Sequence, residues 1–430
     1  FEKEIDMNIL IIGSGGREHA LAYSLFHSNS CSKIFAAPGN PGIAQYADII
    51  NINIENFDDV ARFCNNHNID LVVIGPEKPL ADGIVDYLNS FGINVFGPDK
   101  FSAKLESSKA FAKDFMRKYN IPTAEYQVFD FKNMENAYNF IESISKYPVV
   151  LKADGLAAGK GVVICNDYDT TKSELTQYFQ GKFGEAGKKI VIEEFMEGEE
   201  ASILAICDGK NYVTLASSQD HKRAFDNDEG PNTGGMGAYS PTPIVSDKIL
   251  EQIKSEIIEP TIKGMITEGH PFKGCLYCGL MINDNKAKVV EYNVRFGDPE
   301  TQAVLVNFKG DFAALLLSAV NGSLDLHYID EVCASHSCCV VMVSNGYPNR
   351  YDKGQIITGI KEAENIGAIV FHAGTKIDSD NLVVNGGRVL GVTATANNLK
   401  DAVSIAYEAV SKIHFENSYY RKDIAKKALK

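Results

Sequence analysis

Residues 7–26, MNILIIGSGGREHALAYSLF, run from a continuous apolar strand at 9–12 through a glycine-rich turn into a helical pattern. The stretches IDLVVIGPE (69–77) and INVFGP (93–98) repeat the strand-then-Gly-Pro arrangement, with helix-like segments between them. Strands that alternate with helices commit this part of the chain to a parallel α/β sheet, expected to end near residue 107.

The segment SSKAFAKDFMRKYNIPT reads as helix until Pro122, and YPVVLKADGLAAGKGVVIC as strand, glycine-rich loop, strand. Two more strands surround a turn in KIVIEEFMEGEEASILAIC, and a hairpin follows at about 276–294. A helical stretch, DFAALLLSAVNGSL, closes the middle region. From about 333 a smaller α/β unit begins. At 430 residues the chain is long for one core and is expected to divide into about two to four domains.

A net charge of −14 argues against a general binder of nucleic acid or anionic membrane, though not against a local basic pocket for a phosphorylated small molecule. No apolar run approaches the roughly 20 residues a bilayer span needs. FEKEID, ahead of Met7, is acidic and lacks a signal core, so Met7 is expected to be the natural start. The nine cysteines are scattered and odd in number, which favours reduced thiols in a cytoplasmic protein. Cys275 and Cys278 stand at i and i+3 of a strand, on opposite faces, an arrangement that disfavours a metal role.

Several stretches carry chemistry. GSGGREHA (13–20) follows a strand and opens a helix, where N–H groups and the helix dipole attract anions. It fails the dinucleotide fingerprint because Glu18 stands where a third glycine should. A phosphate-binding turn and a merely structural tight turn both remain open. GLAAGKG (155–161) lacks the Walker A spacing and lies between strands. It is either a glycine loop that folds over phosphates or a plain hairpin loop. Lys109 and Lys152 bracket it. Lys152 ends an apolar strand, where a charge is costly without a partner such as phosphate, although a solvated strand end also accounts for it.

IEEFMEGEE (192–200) follows an apolar strand; its backbone could meet an adenine edge and a later acid ribose hydroxyls. The 217–241 stretch, with four glycines at 230–237, is too polar and too flexible for core and is expected to be a substrate loop or lid, or else a disordered surface loop. EYNVRFGDPETQ (291–302) is the most informative. Alternation puts Glu291, Asn293 and Arg295 on one face and Tyr292, Val294 and Phe296 on the other. Alone, that triplet reads as readily as a solvated hairpin edge.

Together these motifs resemble the ATP-grasp superfamily and, within it, the phosphoribosylamine–glycine ligase family. GSGGREHA, KADGLAAGKGVV, QDHKRAFD, GPNTGGMGAYSP, EYNVRFGDPETQ and NGGRVLGVTA stand in that family's order from Met7 to the C-terminus. The resemblance implies an α/β (α+β) chain in three parts. These are a Rossmann-like domain at 7–107, an ATP-grasp domain at 108–325 with a lid at about 125–193, and a small α/β domain at 326–430. It implies ATP and Mg²⁺ or Mn²⁺ as cofactors, glycine and 5-phosphoribosylamine as substrates, and a monomer without nucleic-acid or membrane partners.

Carried over by position, Lys109 and Lys152 would contact ATP phosphates under a closing loop that includes Gly155, Gly159, Lys160 and Gly161. Glu194, Phe195 and Met196 would meet the adenine, and Glu200 the ribose. Glu291 and Asn293 would bind the metal. Gly13, Gly15, Gly16, Arg17, Glu77, Asp220, Lys222, Arg223 and Asp298 would form the substrate site. Arg295, with Lys152 a catalytic group, would serve the transferred phosphoryl group or the glycine carboxylate. The implied reaction is phosphorylation of glycine to glycyl phosphate, then attack by the amine.

This chain departs from the family in three places. CGLMI offers no extra acidic metal ligand, VNFKGD replaces a Pro-Arg-Leu segment, and Ala425 replaces a usual glycine. A biotin-dependent carboxylase subunit is the nearest rival enzyme, but no Met-Lys-Met tract is present. A nucleotide sensor without turnover would not need Lys152, Glu291, Asn293 and Arg295 together.

Overall fold

The computed structural model describes residues 6–155 and 161–429. The first strand, Met7–Gly13, lies at the centre of a five-stranded parallel sheet. Cys31–Pro38 and Asp48–Ile49 stand on one side, and Leu71–Ile74 and Val95–Phe96 on the other. Ile9, Leu10, Ile11 and Ile12 are fully buried, because helices cover both faces of the sheet. The parallel α/β expectation for this region is met.

Two antiparallel sheets follow. The first, in the span expected as the lid, orders Tyr126–Asp130, Lys189–Glu194, Val149–Ala153 and Val162–Cys165. Helices Met134–Ser143 and Tyr168–Phe179 pack on it around a core of its own, with Leu151, Ile190, Ile192 and Tyr178 inside. The second sheet orders Tyr212–Thr214, Glu199–Asp208, Lys273–Asn283 and Lys286–Asn293. Helix Lys109–Lys118 starts between the sheets. Its N-cap Ser108 accepts from the Phe111 N–H, and Asp154, just past the lid strand, accepts from the Ala110 N–H at 2.7 Å.

The last large sheet is partly built from the 217–241 stretch. Gln219–Asp220 and Gly237–Ser240 form its edge, beside His336–Val343, Arg388–Ala396 and Ile369–His372. The reading of this stretch as too polar and flexible for core, and its alternative as a disordered loop, are corrected. Met236, Ala238, Tyr239 and Ser240 are buried, because glycines and small residues let the strand press against Cys338 and Cys339. Only the short hairpin Arg223–Phe225 to Glu229–Asn232 projects from this seam.

All nine cysteines are free thiols. Cys275 and Cys278 do face opposite ways, one into each of the two cores that flank the second antiparallel sheet. Among the described residues no helix is long and apolar enough to cross a membrane.

Candidate active site

A cleft of about 920 Å³ opens between the two antiparallel sheets and reaches both outer sheets. Lys109, Lys152, Gly161, Glu194, Phe195, Met196, Glu200, Asp220, Lys222, Arg223, Glu291, Asn293 and Arg295 line it, joined by Arg17, Glu77 and Asp298. Gly13, Gly15, Gly16 and Gly155 are not on its wall. Gly159 and Lys160 lie outside the described residues.

At the lid end, Val150 pairs with Glu193 across the sheet, so Lys152, two residues on, reaches diagonally to the same carboxylate. Lys152 Nζ lies 2.9 Å from Glu193 Oε2, and Lys113 Nζ 3.2 Å from that same oxygen. All three side chains are buried. Lys152 also donates to the Val290 carbonyl, and Lys113 to Thr123 Oγ1. Burial pushes Lys113 down to about 8 against the pull of Glu193. Among the described residues Glu193 Oε1 has no hydrogen-bond partner. Lys109 sits at the start of its helix, its ammonium 3.5 Å from the Gly155 carbonyl. Apolar Val150, Val162, Ile164, Met116 and Met281 complete this end with Phe195 and Met196.

The hairpin delivers Glu291, Asn293 and Arg295 to the cleft as alternation predicts. Its register shifts between Gly279 and Leu280, so a bulge at Val290 frees the carbonyl that Lys152 uses. Tyr292 and Val294 enter one core as expected. Phe296, past the strand end, leaves that face and stacks near Phe96 in another core. Burial opposes ionisation of Glu291, but Lys222, Lys152 and Lys109 hold it below the ordinary carboxylate range. Opposite Glu291 stands Gly279, so the partner strand adds no carboxylate there. Among the described residues no group of three or more His, Cys, Asp or Glu side chains is disposed to hold a metal. The donors present, one ionised carboxylate and the Asn293 amide, suit a hard cation that completes its shell with water and phosphate oxygens.

Arg295 ties the hairpin to the N-terminal sheet. Its Nη2 lies 3.0 Å from Glu106 Oε1, and its Nε 3.7 Å from Glu77 Oε2. Burial weakens the cation, yet Glu106, Glu77 and Glu300 more than offset this and hold it firmly protonated. Glu77 feels burial too, but Arg295 and Arg17 keep it below its usual value.

The glycine turn behaves differently from a bare anion site. Gly15 N–H donates to Glu18 Oε2, and Arg17 Nε lies 2.6 Å from Glu18 Oε1. Gly75 leaves room for that carboxylate: a Cβ there would stand 1.9 Å from Glu18 Oε1. Protein carboxylates therefore cap the helix Gly16–Phe26, and Arg17 is the part of the turn that reaches the cleft.

Lys222 sits amid acids. Its Nζ is 2.7 Å from Glu200 and 3.8 Å from Glu291. Burial pushes neighbouring Asp220 up to about 8, opposed by Lys222 and reinforced by Glu300, Glu200 and Glu291.

Sequence reading passed over Glu193, Lys113, Glu106 and Arg388. Glu193 interrupts an apolar strand, and Lys113 stands one turn after Lys109, a helical spacing that was available as a signal. Arg388 belongs to the quoted NGGRVLGVTA motif. It lies 3.3 Å from Asp298 and donates to the Gly234 carbonyl, contacts far apart in sequence.

Two antiparallel sheets closing on a lysine- and carboxylate-lined cleft define an ATP-grasp protein. Family models described as the N domain, the ATP-grasp (A) domain and the C domain of phosphoribosylglycinamide synthetase match residues 7–106, 107–301 and 337–427. The chain belongs to the phosphoribosylglycinamide synthetase family.

It is 46% identical over 426 residues to a phosphoribosylamine–glycine ligase of Mesorhizobium japonicum, covering 98% of this chain and 99% of that one. It is 48% identical over 431 residues to the bifunctional purine biosynthetic protein ADE1 of Schizosaccharomyces pombe, covering 98% of this chain and 53% of that one. The crystal structure of the Thermotoga maritima phosphoribosylamine–glycine ligase superposes with a TM-score of 0.83 at 34% identity, covering 97% of this chain and all of that one (100%). The biotin carboxylase domain of a Hydrogenobacter thermophilus 2-oxoglutarate carboxylase, in complex with MgADP, reaches 0.73 at 14% identity, covering 97% and 92%. At that identity the likeness concerns the fold alone.

Proposed function

We propose that this chain joins glycine to 5-phosphoribosylamine with ATP, forming glycinamide ribonucleotide, ADP and phosphate, as a cytoplasmic monomer. The observation that carries this reading is a single cleft with Lys109 and Lys152 at one end and Arg17, Glu77 and Asp298 at the other. On this reading residues 7–107, 108–325 and 326–430 act as three domains, with 125–193 as the lid.

The carboxylate of glycine resists attack by an amine, because its charge and resonance oppose addition. Phosphoryl transfer from ATP gives glycyl phosphate, an acyl donor with a good leaving group; the amine then attacks, and phosphate departs with the carboxyl oxygen. Lys109 and Lys152 hold the ATP phosphates; the closing loop expected over them lies largely outside the described residues. Phe195 and Met196 enclose the adenine beside Glu194, and Glu200 takes the ribose hydroxyls. Glu291 and Asn293 would hold Mg²⁺ or Mn²⁺, which when bound neutralises phosphate charge. Arg295 stabilises charge on the moving phosphoryl group or on the glycine carboxylate. Arg17, Glu77, Asp298 and the Asp220–Lys222–Arg223 segment receive the phosphoribosylamine. Most of the acceleration comes from positioning and from charges fixed in advance.

Glycine labelled with ¹⁸O in its carboxylate tests the route. Transfer of label into inorganic phosphate during turnover is expected; unlabelled phosphate would exclude glycyl phosphate.

A further inference from the structure

The C-terminal segment after the helix Leu399–Val410 does not trail into solvent. Arg421 is among the largest fully buried side chains, with its side chain 1% exposed. It spends its guanidinium on three partners. Nη1 donates to Asp228 Oδ1 at 2.9 Å and to the Arg223 carbonyl at 3.1 Å, while Nε and Nη2 bond the Asp423 carboxylate at 2.8 Å each. Asp423 Oδ2 in turn accepts from the Asn227 N–H at 2.8 Å, and the Lys422 N–H donates to Asp226 Oδ1 at 2.8 Å.

Apart from the Arg421–Asp423 pair inside the tail, each of these contacts ends on the hairpin that projects from the 217–241 seam. That hairpin needs outside support. At its tip two successive residues without glycine's freedom, Asn227 and Asp228, adopt left-handed conformations at φ 60° and 56°. Its base carries Arg223, and Arg223, Asp228 and Asn232 all stand on the cleft wall.

We infer that the C-terminal tail, through Arg421, is a positioning element of the substrate site: it holds the 223–232 hairpin, and with it Arg223, against the cleft. The inference rests on the proposed assignment of Arg223 to the phosphoribosylamine end. Arg421 then sets affinity for one substrate without touching any. A purely stabilising tail would instead lower turnover and leave both KM values unchanged or shift them in parallel as the fold loosened.

Steady-state kinetics of Arg421→Met, Arg421→Lys and Asp228→Asn, with ATP and freshly generated phosphoribosylamine varied in turn, separate the two. In Arg421→Met and Asp228→Asn the KM for the amine should rise about tenfold to a hundredfold, as loss of charge-assisted buried hydrogen bonds implies. The KM for ATP should stay at its wild-type value, and Arg421→Lys should recover part of the loss. Should Arg421→Met fail to fold, Asp228→Asn carries the test from the half-exposed side of the same pair. An unchanged amine KM, or parallel shifts in both KM values, would overturn the inference. If the wild-type protein shows no turnover that depends on the amine, the proposed function fails instead. Hydrogen exchange at residues 223–232 in the same variants then decides the clamp: faster exchange upholds it, and unchanged exchange overturns it.

Discussion

Lys152 and Glu193 meet 2.9 Å apart on the lid sheet, and the same carboxylate oxygen also receives Lys113. One buried carboxylate neutralises one ammonium charge, so the second lysine is held at a cost. Burial moves Lys113 down to about 8 from an ordinary 10.5.

Stability should record that displacement. Between about 8 and 10.5 the unfolded chain keeps the Lys113 proton that the folded chain has released, so the contribution of Lys113 to folding stability rises as pH rises through this window. Buried thiols and phenols with raised values pull the other way in this window, so the readout is a difference: in urea unfolding at stepped pH the wild type should gain stability relative to Lys113→Met as pH rises. Equal slopes in the two proteins would remove Lys113 as its source.

Arg295→Lys tests the guanidinium bridge. A lysine presents one point charge and cannot reach Glu106 and Glu77 while also donating to the Phe296 carbonyl, as Arg295 does. Turnover should fall by about 10²-fold or more, the usual cost of losing one fixed donor to developing charge. ATP binding by equilibrium titration should hold. A variant with near-normal turnover would place Arg295 outside the chemistry.

His19 and His372 join the N-terminal helix to the C-terminal sheet, with the His372 N–H donating to His19 Nδ1 at 2.7 Å. Burial lowers both, His372 to about 4 and His19 well below 6.5. Below 6.5 the unfolded chain takes up protons that the folded pair refuses. Their stabilisation is therefore complete above 6.5 and is lost as pH falls towards about 4. Thermal unfolding across that range should show the loss in wild type and a shallower loss in His372→Gln.

Ala425 occupies a left-handed conformation, φ 64°, which glycine adopts freely, while its N–H donates to His221 Nε2. An L-residue there costs about 1–2 kcal/mol that glycine avoids. Glycine's greater freedom in the unfolded chain returns part of it. Ala425→Gly should raise stability by about 1 kcal/mol by denaturant titration, with unchanged turnover. A destabilised variant would contradict the strain argument.

What could be read in advance followed from local periodicity. Alternation along one strand placed Glu291, Asn293 and Arg295 together and sent Cys275 and Cys278 to opposite cores. The parallel sheet followed from repeated strand-and-turn segments near the N-terminus. What escaped depends on partners distant in sequence. Glu193 looks like part of an acidic turn until Lys113 and Lys152 converge on it from separate elements. GSGGREHA looks like an open anion cradle until Glu18 folds back to fill the turn. The 217–241 stretch looks solvent-exposed because its strands are made of small residues, whose burial depends on the Cys338–Cys339 strand they press against.

The most direct measurement is ADP release with ATP, Mg²⁺, glycine and freshly generated phosphoribosylamine, each omitted in turn, beside Glu291→Ala. The account predicts release that needs all four and collapses in the variant. ATP binding without turnover in any combination, or full release without the amine, would contradict it.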